Sequence, residues 1–128
     1  MDQQIRVLVV DDDEPHAVAV AESLERVGYE CVVATSGSDG LRLIEEQVFE
    51  IVITDLIMPE KEGLETIAEM KTLRSNVPVI AMSGGGRIGP TDYLETARYI
   101  GAAATLAKPF ARSELISLVS NLLSEAES

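Results

Sequence analysis

The sequence predicts an α/β fold, a doubly wound three-layer sandwich around a five-stranded parallel sheet. Short apolar runs rich in β-branched residues recur along the chain, as is typical of strands buried on both faces. Helical apolar patterns separate these runs, which gives βα units with short connections. Four of the runs also end on chemically active side chains. These side chains belong to Asp11-Asp12, Asp55, Ser83 and Lys108.

The first βα unit begins with a strand over residues 6–10. Glu14-Pro15 opens the helix that follows, because a proline in the first turn loses no hydrogen bond. Gly28 ends this helix. Helical spacing predicts an apolar face that comprises Ala17, Val18, Ala21, Leu24 and Val27.

The second unit begins with a strand over residues 31–34. Ser36, followed by Asp39 three residues later, predicts a capping box at the start of the next helix. The apolar face of that helix is predicted to contain Leu41, Ile44 and Val48.

The third strand covers residues 51–54 and ends at Asp55, and Pro59 and Gly63 shape the loop that follows it. The helix after this loop is predicted to bury Leu64, Ile67 and Met70. The fourth strand covers residues 78–82 and ends at Ser83.

The last third of the chain begins with a glycine-rich loop over residues 84–90 and a helix over about 91–100. A fifth strand lies within residues 102–107, and a helix over 113–123 completes the fold. We expect residues 124–128 to fray, as chain ends commonly do.

The composition fits one domain over residues 1–128, with a core of about 5–123. The net charge of −12, without any basic run, argues against nucleic acid and anionic membranes as partners. The single cysteine, Cys31, excludes an internal disulfide and a metal site made of cysteines alone. Because no signal peptide or membrane-spanning run is evident, we expect a soluble, cytoplasmic protein.

The polar residues at the strand ends should meet, because ligands of open parallel sheets bind beyond the carboxyl ends of the strands. Three carboxylates, a hydroxyl and an ammonium therefore converge, from Asp11, Asp12, Asp55, Ser83 and Lys108. Mg²⁺ prefers such oxygen ligands. Without a metal, repulsion among the carboxylates should raise at least one of their pKa values.

Several motifs occur in a fixed order along nearly the whole chain. They are Val9-Val10-Asp11-Asp12, Asp55-Leu56-Ile57-Met58-Pro59 with Gly63, Ser83, and Gly101-Ala102 leading to Lys108-Pro109-Phe110. In this order they resemble the receiver (phosphoacceptor) domain of bacterial two-component response regulators. We expect the stand-alone type, and a receiver excised from a larger protein is the alternative. The resemblance implies the strand order 2-1-3-4-5 and a cis peptide between Lys108 and Pro109.

The resemblance also implies a Mg²⁺ site. Asp12 would bind the ion directly and Asp11 largely through water, while Asp55 and the backbone carbonyl of Ile57 complete the protein ligands. Asp55 would be the phosphoacceptor.

Ser83 would sense the phosphoryl group, and Lys108 would be its cationic partner. Phosphorylation would then move the loop over 84–90 and alter a protein-binding face made of the helix over 91–100, the fifth strand and the last helix. The donor would be a histidine kinase or phosphotransfer protein, and a downstream protein would read the signal. We expect a monomer or weak dimer that is not an enzyme, beyond catalysing its own phosphoryl transfer and autodephosphorylation.

Departures from the family pattern concern the relay to the surface. Thr105 stands where an aromatic residue usually couples the phosphorylation site to the output face. The loop after Ser83 is longer than usual and carries three consecutive glycines, while Ile57 and Gly85 replace polar side chains beside the site.

Two other functions remain open at this point. Asp11-Asp12-Asp13 also fits the Asp-x-Asp motif of haloacid-dehalogenase-like phosphatases. Those enzymes need a further acidic pair for the metal, however, and the segment after Lys108 offers only Glu114 before the tail. A receiver fold used as a scaffold without phosphorylation would be compatible with Thr105. Asp13 is assigned to helix capping or solvent, and His16 to a solvated helix position.

Overall fold

Five parallel strands, numbered along the chain, form one sheet in the order 2-1-3-4-5, which confirms the predicted topology. The computed structural model describes residues 4–56, 63–84, 97 and 101–127. The strands are β1 (Arg6–Val10), β2 (Glu30–Ala34), β3 (Ile51–Asp55), β4 (Val79–Ser83) and β5 (Ala104–Ala107). The fifth strand begins at Ala104, inside the predicted range of 102–107, and ends at Ala107, where that range ends.

Four described helices cover the two faces of this sheet. They are α1 (Glu14–Glu25), α2 (Gly37–Glu46), α3 (Gly63–Leu73) and α4 (Arg112–Glu127). Apolar side chains of α1 and α4 pack with one face, and those of α2 and α3 pack with the other. The three-layer α/β/α sandwich is thus confirmed. No described helix has the length and apolar character needed to cross a membrane.

The central strands are buried on both faces, which explains why their sequences are continuous apolar runs. Every residue of β3 and β4 is buried. Along β1, Leu8 and Val10 face the α2/α3 layer, while Val7 and Val9 face the α1/α4 layer. The alternation follows from the two-residue period of a strand.

Both predicted helix starts are confirmed by their caps. The Asp13 side chain accepts a hydrogen bond from the His16 amide at 3.2 Å, and the Ser36 hydroxyl accepts one from the Asp39 amide at 3.1 Å. Gly28, with φ of +102°, follows α1 in the left-handed region that favours glycine.

Three valines predicted to be buried are exposed, which corrects the predicted helix faces. The exposed fractions are 42% for Val18, 49% for Val27 and 70% for Val48. Val27 and Val48 lie beyond the ends of α1 and α2, where helical spacing no longer applies. Val18 lies about 100° around the helix from Ala17, and Val20 is buried instead.

The last helix is longer than predicted at both ends. It begins at Arg112 and continues to Glu127, so residues 124–127, which we expected to fray, are helical. The segment Ser124-Glu-Ala-Glu127 contains neither glycine nor proline and gives the helix no reason to end. The predicted helix over 91–100 falls outside the described residues except for Ala97, which is helical and buried.

The register of the sheet aligns the ends of four strands. Val10 pairs with Thr54, Asp55 with Met82, and Ser83 with Ala107. The residues at or directly after these ends therefore lie along one edge of the sheet.

Candidate functional site

Three carboxylates gather at the carboxyl edge of the sheet. One oxygen from each of Asp11, Asp12 and Asp55 lies within 4.8 Å of the others. Asp11 and Asp55 are buried, whereas Asp12 is exposed. They meet because β1 and β3 are neighbours in register, as the sequence predicts.

Lys108 delivers its amine to the same cluster. Its Nζ donates to Asp11 Oδ2 at 3.1 Å and to Asp55 Oδ2 at 3.3 Å. Its backbone N–H donates to the Ser83 carbonyl at 2.8 Å, and the peptide to Pro109 is cis, as the resemblance implies. Burial alone would lower the pKa of Lys108, but the charges and hydrogen bonds of Asp55 and Asp11 outweigh it and raise that pKa above its usual value. The ammonium is therefore charged.

The Asp11 side chain is fully buried, and both of its oxygens are hydrogen-bonded. Oδ1 accepts from the Asp13 amide at 3.0 Å, and Oδ2 is shared by Lys108 Nζ and by His16 Nδ1 at 2.7 Å. Burial would raise the pKa of Asp11, but the hydrogen bonds from His16 and Asp13 and the positive charge of Lys108 together lower it. At Asp11 the direction is thus opposite to the rise expected from repulsion alone.

Ser83 lies at the end of β4, at the same edge of the sheet. It is buried, and its hydroxyl donates to the carbonyl of Gly84 at 3.2 Å. Ile57 and Gly85, which the sequence places beside the site, lie outside the described residues.

Sequence reasoning missed His16, which it assigned to a solvated position. The imidazole is partly buried, with 29% of its side chain exposed, and hydrogen-bonds to Asp11. It also meets Phe110 edge-on, with ring centroids 5.9 Å apart and an interplanar angle of 75°. Its position in the sequence could have indicated this contact. His16 lies in the first turn of α1, three residues after the cap Asp13, and that turn starts at the edge of the sheet where the site lies.

Comparisons with known proteins agree with this geometry. The family model for the response regulator receiver domain matches residues 7–120. The transcriptional regulatory protein ZraR of Escherichia coli (strain K12) is 34% identical over 122 residues, which cover 88% of this chain and 28% of that protein. The chain thus spans between a quarter and a third of that relative's length.

Solved structures give the same result. The CheY-like receiver domain protein of Methanospirillum hungatei JF-1 superposes with a TM-score of 0.91 at 28% identity, covering 98% of both chains. A receiver domain protein of Clostridium thermocellum gives 0.89 at 29% identity, covering 96% of this chain and 97% of that one. The chain therefore belongs to the response regulator receiver domains, the signalling modules of two-component systems.

Proposed function

We propose that Asp55 accepts a phosphoryl group from a phosphohistidine donor, with the help of Mg²⁺, Lys108 and Ser83. The observation that carries this proposal is the convergence of three carboxylates and one ammonium at a single edge of the sheet. Transfer to a carboxylate brings two anionic species together, so the protein mainly has to offset repulsion and align the groups.

The donor set fits Mg²⁺ in ligand type and charge. Carboxylate oxygens are the ligands that Mg²⁺ prefers, and one oxygen from each of the three aspartates lies within 4.8 Å of the others. Three carboxylates and one ammonium leave two uncompensated negative charges when His16 is neutral, which one divalent cation balances. Asp11, Asp12 and Asp55 would hold the ion, with the Ile57 carbonyl as the further ligand that the family implies. When bound, Mg²⁺ offsets the negative charge of the phosphoryl oxygens.

In the transfer step a carboxylate oxygen of Asp55 forms a bond to phosphorus while the bond from phosphorus to the histidine nitrogen breaks. The nitrogen keeps the electron pair, and Asp55 becomes an acyl phosphate. Lys108 Nζ, now between Asp11 and Asp55, would donate to a phosphoryl oxygen. Its raised pKa keeps it protonated for this task.

Ser83 would report the change to the surface. Phosphorylation adds roughly −1.5 to −2 charges and strong acceptor oxygens beside a buried hydroxyl. To donate to one of them, the Ser83 hydroxyl has to leave the Gly84 carbonyl that it now contacts. That exchange would alter the start of the loop over 84–90 and the protein-binding face beyond it. Thr105 is half-buried on β5, in the place where the family usually has an aromatic residue, so the signal would have to reach this face without an aromatic ring.

The partners follow from this chemistry. A histidine kinase or phosphotransfer protein would supply the phosphoryl group, and a downstream protein would read the altered face. We infer a cytoplasmic module that acts on no other substrate and is phosphorylated only at Asp55.

The decisive experiment incubates the chain with Mg²⁺ and acetyl phosphate and measures its intact mass. One acid-stable, base-labile phosphoryl group is expected, and Asp55→Asn should abolish it. Asp13→Asn is the matched control, because asparagine caps helices as well as aspartate does. A label on Asp11 with turnover of phosphomonoesters would instead indicate a phosphatase. A chain that neither becomes labelled nor binds Mg²⁺ would indicate a scaffold.

A further inference from the structure

We propose that His16 is a positioning residue of the Mg²⁺ site, which holds the Asp11 carboxylate in its binding orientation throughout phosphoryl transfer. The inference rests on the proposed function and concerns a residue outside the acidic cluster. Outer groups that hydrogen-bond to a ligating carboxylate commonly set metal affinity, because they fix the direction of the ligand.

The first observation is the strength and placement of the contact. His16 Nδ1 and Asp11 Oδ2 are 2.7 Å apart, which is within the range of charge-assisted hydrogen bonds. The Asp13 amide holds the other oxygen of the same carboxylate. Two groups at the start of α1 thus hold the two carboxylate oxygens of Asp11, whose side chain is fully buried.

The direction of the hydrogen bond follows from the state of Asp11. To help hold Mg²⁺, Asp11 has to be a carboxylate, which can only accept hydrogen bonds. Nδ1 of His16 therefore carries the proton and donates it.

Oδ2 of Asp11 contacts two nitrogen atoms, and the proposed reaction would draw one of them away. Lys108 and His16 both donate to this oxygen in the present structure. In the proposed reaction Lys108 turns to a phosphoryl oxygen and gives up part of its contact with Asp11. His16 remains as a donor, so a fully buried oxygen is not left without a partner and Asp11 keeps its orientation.

Phe110 fixes the imidazole in turn. The two rings meet edge-on, an arrangement that aromatic pairs favour. Phe110 lies two residues after Lys108, so one short segment carries both the amine and the ring that orients His16.

The test compares the Mg²⁺ affinity of three unphosphorylated chains by calorimetry. His16→Leu removes the donor and should weaken binding by about tenfold or more. His16→Asn keeps an N–H near the Nδ1 position and should restore the affinity to within about threefold of the wild type. Thermal unfolding without Mg²⁺ checks that each variant is folded.

A spectroscopic measurement on the wild type makes the test independent of folding in the variants. His16 is the single histidine of the chain, so the imidazole nitrogens give unambiguous NMR signals. In mildly alkaline buffer we expect a proton on Nδ1, before and after Mg²⁺ is added. An unprotonated Nδ1, or a His16→Leu variant with wild-type Mg²⁺ affinity, would overturn this inference and leave the proposed function standing. A wild-type chain that binds no Mg²⁺ would overturn both.

Discussion

The amine of Lys108 lies 3.1 Å from the Asp11 carboxylate, although 97 residues separate the two positions in the chain. The same amine lies 3.3 Å from Asp55. It therefore offsets part of the negative charge that a divalent cation would otherwise balance. Lys108 and a bound metal ion would consequently act on the same carboxylates and influence each other.

Lys108→Met should strengthen Mg²⁺ binding and weaken phosphorylation. A single charge and a divalent ion that contact the same carboxylates repel by about 1–2 kcal/mol even at the dielectric constant of water, so the Mg²⁺ affinity should rise by about tenfold. The rate of labelling by acetyl phosphate should fall, because a phosphoryl oxygen loses its cationic donor.

Arg112→Met is the matched control for this prediction. It removes the same charge from an exposed position at the start of α4 and should leave both quantities nearly unchanged. Equal Mg²⁺ affinities in wild type and Lys108→Met would contradict the role of the amine.

The lowered pKa of Asp11 predicts an acid-sensitive fold in the absence of Mg²⁺. Because the pKa is lower in the folded than in the unfolded chain, the unfolded chain binds more protons in the acidic range. The resulting stabilisation is complete above the unfolded pKa of about 4 and is lost as the pH falls through the folded value. Urea unfolding at a series of pH values measures this loss.

Asp11→Asn should flatten the fall in unfolding free energy on the acidic side. Asp39→Asn, at an exposed position of α2, is the control and should keep the wild-type slope. An unchanged slope in Asp11→Asn would mean that other groups account for the acid sensitivity.

Gly40 marks a close approach of α2 to β1 that an alanine should disrupt. A Cβ at this position would lie 2.8 Å from Val10 Cγ2 and 3.4 Å from Met70 Cε. Alanine gains about 0.5–1 kcal/mol of helix stability over glycine, but overpacking a core costs about 1–3 kcal/mol. We expect Gly40→Ala to lower the unfolding free energy by about 1–2 kcal/mol, as measured by urea titration.

Ser38→Ala provides the reference on the same helix. Ser38 is exposed, so its substitution changes helix propensity without crowding the core. If Gly40→Ala were as stable as Ser38→Ala, the packing of α2 on β1 would be looser than the distance to Val10 indicates.

The fold was predictable because its signals are local. Each central strand is a continuous apolar run, and Asp13, Ser36 and Gly28 mark helix ends through their own backbone chemistry. The exposure of Val18 and Val27 was not predicted. Val18 points away from the buried face of α1, and Val27 lies beyond the end of that helix. The end of the last helix at Glu127 was not predicted, because no glycine or proline marks it in the sequence.

The site was predictable as far as the strand ends determine it. Asp11, Asp55 and Lys108 follow strands whose carboxyl ends meet, so their proximity follows from topology. The role of His16 and the direction of the Asp11 pKa shift depend on side-chain reach across the fold. No sequence period encodes such contacts.

β5 is the last strand in the chain and forms an edge of the sheet, and Lys108 follows it immediately. A polypeptide still emerging from the ribosome carries the acidic residues long before it carries this amine. In the proposed reaction such an incomplete copy lacks the ammonium that the incoming group requires. Nascent chains that end before Lys108 would therefore not be phosphorylated, whatever the stimulus.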